Sequence, residues 1–447
     1  MKDFKLNYKI TFVIGLAFFS IMMLWQVYNN YCSLMLLNLL DSKFEDENQA
    51  LYIVGIIMAI DNIFAIFMLP LFGKLSDNTH SRFGKRMPYI VVGMVLAAIA
   101  FPFIPFFYGK GSLGGVIIMM LVILIIMQSY RTSAVSLMPD ITPKPLRSRA
   151  NGIINVVGYL GAIIAGALAM VGMFKVKGGQ PIYTFLIVSV MLLFAVILLM
   201  ITVRENKLIE ETREDVARGE FYSTASRDKK LEATNKMSKK TKKNLLVLLL
   251  ATFFWFAGFN AIETFLSIYT DRIYGQQQIS GLAVIFLTVF SLITFIPAGL
   301  ISERFGRKKT VAVGLIIIIL GFVLGSFNIG SETNNPVVLY VVASISGIGW
   351  ATVNVSSYPM VVEMSNQENI GKFTGYYYLF SMLAQSFTPI VVGLFMYHGG
   401  LEIMFAYASI CMILSIIIFF FMEEHKVDKK VAREKAKNIF EYLDIED

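Results

Sequence analysis

Long apolar runs alternate with short polar breaks over nearly the whole chain. A helix needs about 20 mainly apolar residues to cross a bilayer core. Twelve runs reach that length: 11–39, 49–73, 88–108, 113–138, 151–173, 181–203, 244–270, 280–301, 310–330, 336–360, 372–398 and 402–422. They are too long and too little alternating to be barrel strands. Pro70, Pro102, Pro297 and Pro389 fall inside them, which membrane helices tolerate because neighbours satisfy the freed backbone groups. The pattern predicts an all-α membrane protein with twelve transmembrane helices. The first run follows Lys2, Lys5 and Lys9 as a signal h-region would, but it is about twice as long and lacks a small-residue cleavage site, so it reads as a retained helix.

Composition narrows the class. Of 447 residues 56% are hydrophobic and 16% charged, which excludes a soluble enzyme, a disordered chain and a disulfide scaffold. Cys32 and Cys411 both lie in apolar runs and read as small buried hydrophobes. His80, His398 and His425 sit outside the runs or at their ends, and no CxxC, HExxH or GxxxxGK[ST] string occurs. No metal, no cofactor and no enzyme activity is expected.

Charge placement orients the helices. With the N-terminus inside, 33 of the 39 Lys and Arg residues fall in inner segments, five in outer loops, and Arg131 alone inside a run. The excess marks the inner side, so both termini are expected in the cytoplasm, with the chain in the cell membrane. Contact with anionic lipid accounts for the basic segments without a nucleic-acid partner. The one long polar stretch between runs, 204–243, carries 12 basic and 8 acidic residues. It divides the chain into an N-terminal six-helix bundle (1–203), a charged helical linker (204–243), a C-terminal six-helix bundle (244–422) and a cytoplasmic tail (423–447).

The halves repeat each other. GKLSDNTHSRFGKR (73–86) follows run 2, and GLISERFGRKK (299–309) follows run 8; both read Gly-x-x-Ser-acid, then Arg-Phe-Gly-basic. MPDITPKPLRSRANG (138–152) and VVEMSNQENIGKFTG (361–375) match in the same way, Asp140 pairing with Glu363. Six-plus-six repeats belong to transporters that rock one half against the other about a central site. These loops resemble motif A of the major facilitator superfamily. The string 76–90, with MAIDNIF (58–64), SYRTSAVSLMPD (129–140), GFNAIETFLSIY (258–269) and the stretch 356–385, resembles its glycoside–pentoside–hexuronide cation symporter group, nearest to the sucrose-transporter branch. The resemblance implies two pseudo-symmetric six-helix bundles around a central cavity, and an Arg at position 131 that matters for function.

Ionisable residues at membrane depth are expensive and are functional candidates by default. Three are deep: Asp61, Arg131 and Glu263. Asp61, or alternatively Glu263, is expected to couple transport to H⁺ or Na⁺; a buried structural partner is the competing reading of Asp61. Asn260, Glu263 and Ser267 share a helix face, and Gln128 lies one turn before Arg131. Trp25 and Asn29 combine a ring with an amide, as pyranose recognition requires. Asn354 and Gln385 raise the same possibility, and of Tyr376, Tyr377 and Tyr378 at most two can face one cavity. The expected substrate site is therefore Trp25, Asn29, Gln128, Arg131, Asn260, Glu263, Asn354 and Gln385, with helix packing as the alternative. Asp77, Arg82, Arg86, Asp140, Glu303, Arg304, Arg307 and Glu363 lie at helix ends and are expected to act as gates, or else as topology signals.

The function expected is secondary transport, cation-coupled symport of a glycoside or disaccharide such as sucrose or maltose, by a monomer. A major-facilitator exporter of a drug or metabolite is the alternative.

Overall fold

The computed structural model describes residues 5–44, 47–143, 146–228, 239–327, 335–364 and 370–423; the side chains of Asp61, Glu303 and Glu363 are outside the described set. Among the described residues twelve helical segments are long and apolar enough to cross a membrane. The first half contains α1 (Tyr8–Asp41), α2 (Glu47–Asp77), α3 (Met87–Ala100), α4 (Phe103–Gly109), α5 (Leu113–Ile141), α6 (Arg147–Met170) and α7 (Ile182–Thr202). After α8 (Glu205–Asp228) the second half holds α9 (Lys239–Tyr274), α10 (Gln278–Phe305), α11 (Arg307–Phe327), α12 (Pro336–Met364), α13 (Ile370–Gly399) and α14 (Ile403–Phe420).

Several helices outrun the apolar runs that announce them. α9 has 36 residues, about 54 Å at 1.5 Å per residue, against a hydrocarbon thickness of about 30 Å. Its first five residues belong to the stretch 204–243. The third span is two helices, α3 and α4, separated at Phe101–Pro102, where Pro102 lacks the N–H that would continue the ladder. The fifth span ends three residues before the run 151–173 does: Val171 is extended (φ −76°, ψ 111°), so α6 stops at Met170 and Gly172–Phe174 form a separate 3₁₀ turn.

Packing repeats with the sequence. In the first half α1 packs on α6 and α7, and α5 packs on α2 and α3. In the second half α9 packs on α13 and α14, and α12 packs on α10 and α11. Each contact maps onto its counterpart six spans later. The halves meet through α2 with α13, α6 with α10, and α1 with α9, which is the set a pseudo-twofold axis generates.

The halves are drawn together at the end remote from the basic loops. There a Cβ at Gly55 would lie 2.2 Å from the Pro389 carbonyl oxygen, and one at Gly166 would lie 2.8 Å from the Gly281 oxygen. Only glycine permits backbones this close. Arg272 pairs with Asp41, Val176 N–H donates to Gln277 Oε1 (2.7 Å) and Ser280 Oγ donates to Asn30 Oδ1 (2.7 Å) at the same end. At the basic end the described ion pairs stay within one half.

Candidate functional site

The site grows from two helices that face each other across the pseudo-twofold axis. On α1, Trp25, Asn29 and Ser33 are spaced i, i+4, i+8 and form one stripe. On α9, Glu263 and Ser267 form another. The stripes mate. Trp25 Nε1 and Asn29 Nδ2 both donate to Glu263 Oε1 at 3.0 Å, and one turn on Ser33 Oγ and Ser267 Oγ are 3.1 Å apart. A carboxylate of the second half therefore accepts two donors of the first, at membrane depth. Hydrogen bonds to an ionised group are about twice as strong as neutral ones, so this contact ties the halves together.

Beside it is a cavity of about 300 Å³, bounded by Trp25, Asn30, Arg131, Asn260, Glu263, Trp350 and Gln385 among others. That volume is at the small end of the usual range for ligand pockets. Arg131 comes from α5 and lies within electrostatic reach of Glu263 and Tyr378. Among the described residues no carboxylate is within ion-pair distance of it, and it lines the cavity. Gln385 donates from Nε2 to Ser381 O (3.2 Å), and its own backbone oxygen accepts from Asn62 Nδ2 across the halves (3.2 Å). Trp350 stacks on Phe259 with ring centroids 4.1 Å apart and planes at 24°, a flat aromatic wall.

Three polar atoms lining the cavity are buried without a partner among the described residues: Asn30 Nδ2, Asn260 Oδ1 and Ser346 Oγ. Leaving such an atom unsatisfied costs about 1–3 kcal/mol. A solute or water that meets them recovers that cost. Most of the remaining lining is apolar, including Ile21, Met22, Phe322, Leu339, Val342 and Phe405, with Gln26, Tyr159, Ser267 and Thr288 among it.

Of the eight residues expected to bind substrate, Trp25, Arg131, Asn260, Glu263 and Gln385 line the cavity, and Asn29 is joined to it through Glu263. Gln128 does not line it; its side chain is 1% exposed, with Oε1 unpaired. A step of three residues turns a helix by 300°, and that offset is enough to carry Gln128 away from the wall Arg131 occupies. Asn354 bonds back to Trp350 O of its own helix (3.0 Å) and also lies off the wall. Tyr377 is buried against Ser357 Oγ (3.0 Å), whereas Tyr378 is half exposed and faces Arg131 electrostatically. The sequence reading missed Asn30, Gln26, Tyr159 and Ser346. Asn30 alone had a signal, as the second member of an Asn-Asn pair at membrane depth. Asp61 belongs to α2, but its side chain is outside the described set, as are those of Glu303 and Glu363.

The basic end of the first half holds a charge cluster. Arg86 pairs with Asp77, donates to Ser76 Oγ, and donates from Nε to Asp140 Oδ2 (3.1 Å), which Lys85 Nζ also meets at 3.1 Å. Glu205, the first residue of α8 and 1% exposed, accepts the backbone N–H groups of Lys85 (3.0 Å), Arg86 (2.9 Å) and Met87 (2.7 Å). It caps α3 from another helix, supplying the acceptor that the first turn lacks. Arg82 and Arg304 stand outside this cluster, each over the phenylalanine that follows it. Arg307 is engaged in a contact of its own.

The chain matches the Major Facilitator Superfamily over residues 10–286 and 272–442. It belongs to that superfamily. A D-xylose-proton symporter superposes with a TM-score of 0.69 at 15% identity, over 93% of this chain and 97% of that one. A bacterial homologue of the iron transporter ferroportin in an inward-facing state superposes at 0.66 and 14% identity, over 93% and 99%. At such identities the likeness is one of fold. A Na⁺, Li⁺, K⁺/H⁺ antiporter of Planococcus maritimus is 21% identical over 186 residues, 42% of this chain and 44% of that protein. An uncharacterized transporter of Buchnera aphidicola subsp. Schizaphis graminum is 28% identical over 174 residues, 37% and 41%. The chain thus aligns with less than half the length of these curated relatives.

Proposed function

We propose that this superfamily transporter is a cation-coupled symporter of a glycoside or disaccharide, using H⁺ or Na⁺ and alternating access, and that it is allied to the glycoside–pentoside–hexuronide group. The observation that carries this reading is the position of Glu263, a carboxylate on one half that holds two donors of the other half on the cavity wall. A proton or Na⁺ on Glu263 cancels the charge that strengthens both bonds. The contact between α1 and α9 then weakens, so loading and rocking are linked at one group. Arg131, Asn260 and Gln385 suit hydroxyls, and the Trp350–Phe259 wall suits the C–H face of a sugar ring. The basic loops face the cytoplasm with both termini, the state described is closed to the outside, and the protein acts as a monomer in the cell membrane.

Glu263 takes the coupling role here in preference to Asp61, because the geometry around Glu263 supplies the link between halves. Vesicles holding the purified protein, tested with a panel of labelled sugars under a pH or Na⁺ gradient, check the reading. Glu263→Gln abolishes uphill accumulation and keeps exchange between pre-loaded vesicles, whereas Asp61→Asn accumulates sugar. Full accumulation by Glu263→Gln refutes the coupling assignment. The apolar majority of the walls favours one alternative, export of an apolar metabolite or drug; it predicts binding of apolar solutes and of no sugar in the panel.

A further inference from the structure

The two copies of the Arg-Phe-Gly string hold the same unusual arrangement, and the transport cycle above does not use it. Arg82 lies over the Phe83 ring at 4.7 Å and Arg304 over the Phe305 ring at 5.5 Å. Both phenylalanines are 60% exposed. Both are followed by a glycine in the left-handed region, Gly84 at φ 107° and Gly306 at φ 97°, which turns the chain away and leaves ring and guanidinium projecting together. Among the described residues no carboxylate pairs with either arginine.

Their height in the fold is also the same. Phe83 comes just before the span that begins at Met87, and Phe305 follows the span that ends at Ser302. Each pair therefore sits where the hydrocarbon meets the headgroups, on the side with the basic loops. An exposed phenyl ring there enters the acyl boundary, and a guanidinium above it presents planar donors to a phosphate.

We infer that Arg82–Phe83 and Arg304–Phe305 are two pseudo-symmetric docking sites for anionic phospholipid, with the arginine on the headgroup phosphate and the ring among the acyl chains. Each site sits beside the loop that starts the third span of its half, so bound lipid steadies that loop in both halves. The inference does not depend on the transported solute.

Full-length protein extracted from mixed phosphatidylglycerol and phosphatidylcholine bilayers tests it, with retained lipid counted by native mass spectrometry. Wild type retains phosphatidylglycerol at two sites. Arg82→Gln or Arg304→Gln weakens one of them about fivefold, and the double variant weakens both to that extent. Phe83→Ser weakens the first site with the charge intact. Both arginines are exposed, so the variants fold, and unchanged melting confirms it. Lys9→Gln, at another exposed basic residue of the same end, leaves both sites intact. Unaltered retention in the double variant overturns the inference. Equal loss in Lys9→Gln also overturns it, because the attraction is then diffuse.

Discussion

Closure at the end remote from the basic loops depends on Gly55, and a side chain there will oppose it. A Cβ on residue 55 would lie 2.2 Å from the Pro389 oxygen and 3.0 Å from its carbonyl carbon. Carbon–oxygen contacts settle at about 3.3 Å, so α2 and α13 must separate by about 1 Å. The obstacle is backbone and cannot rotate aside. Overpacking of this kind costs about 1–3 kcal/mol. The contact joins the two halves, so it is made only while this end is closed, and the whole cost falls on that state. The equilibrium between closed and open then shifts by a factor of about 5 to 150. Gly55→Ala belongs at the low end and Gly55→Val at the high end.

Spin labels at Gln49 on α2 and His398 on α13, both exposed at this end, read the separation in a background with Cys32 and Cys411 replaced. Gly55→Val moves the distance distribution outward and slows transport. Gly152→Val is the control, because a Cβ there meets nothing within 4 Å. An unchanged distribution and normal transport in Gly55→Val would refute the reasoning.

Other expectations follow from the site and its supports. Trp25→Phe keeps a ring on Tyr28 and deletes one donor to Glu263 Oε1; with about 1.5–3 kcal/mol in a bond to a charged group, the ratio of closed to open at the end remote from the basic loops, read with the same spin labels, falls at least tenfold with folding intact. Glu205→Ala leaves three backbone N–H groups at the start of α3 without their acceptor; thermal melting falls by an amount equivalent to about 2–4 kcal/mol, and Gly84→Ala, whose Cβ would meet Glu205 Oε2 at 2.1 Å, falls similarly. A Glu205→Ala protein that melts like wild type removes the cap from the account.

The spans were legible because the bilayer imposes one length on all of them, and the repeat because the same loop chemistry recurs after runs 2 and 8. The helix faces were partly legible. The 260–263–267 stripe and Trp25 with Asn29 could each be read from spacing, but nothing local says that they meet, since Asn29 and Glu263 are 234 positions apart. Gln128 and Asn354 show the limit of that reading. A face is fixed only modulo the rotation that packing imposes, and packing turned both from the wall. At the helix ends the sequence offered Arg82 and Arg86 as equals. Arg86 turns inward because Glu205 grips its backbone, and Glu205 looked like any solvated acid of a charged linker. Its role exists only once α8 docks beside α3.

The two halves share a motif but fasten its last basic residue to different kinds of partner. Arg86 in the first copy corresponds to Lys308 in the second. The Arg86 fork reaches Ser76, Asp77 and Asp140, so it ties the ends of α2 and α5 to α3 through charged partners. Among the described residues Lys308 reaches the neutral Met422 oxygen just beyond α14. A planar fork on two carboxylates constrains three helices, whereas a flexible ammonium on one carbonyl constrains two. Glu205 closes the first half on itself through three amides. The residue in the equivalent place after α14, Glu423, instead meets Lys240 and Lys243 at the start of α9, with Asn244 bonding its backbone at 3.0 Å on both sides. The basic end of the first half is thus braced from α2 to α8, while in the second half the described ties run from α9 and α11 to the end of α14 and, through Ser356 and Ser302, from α12 to α10.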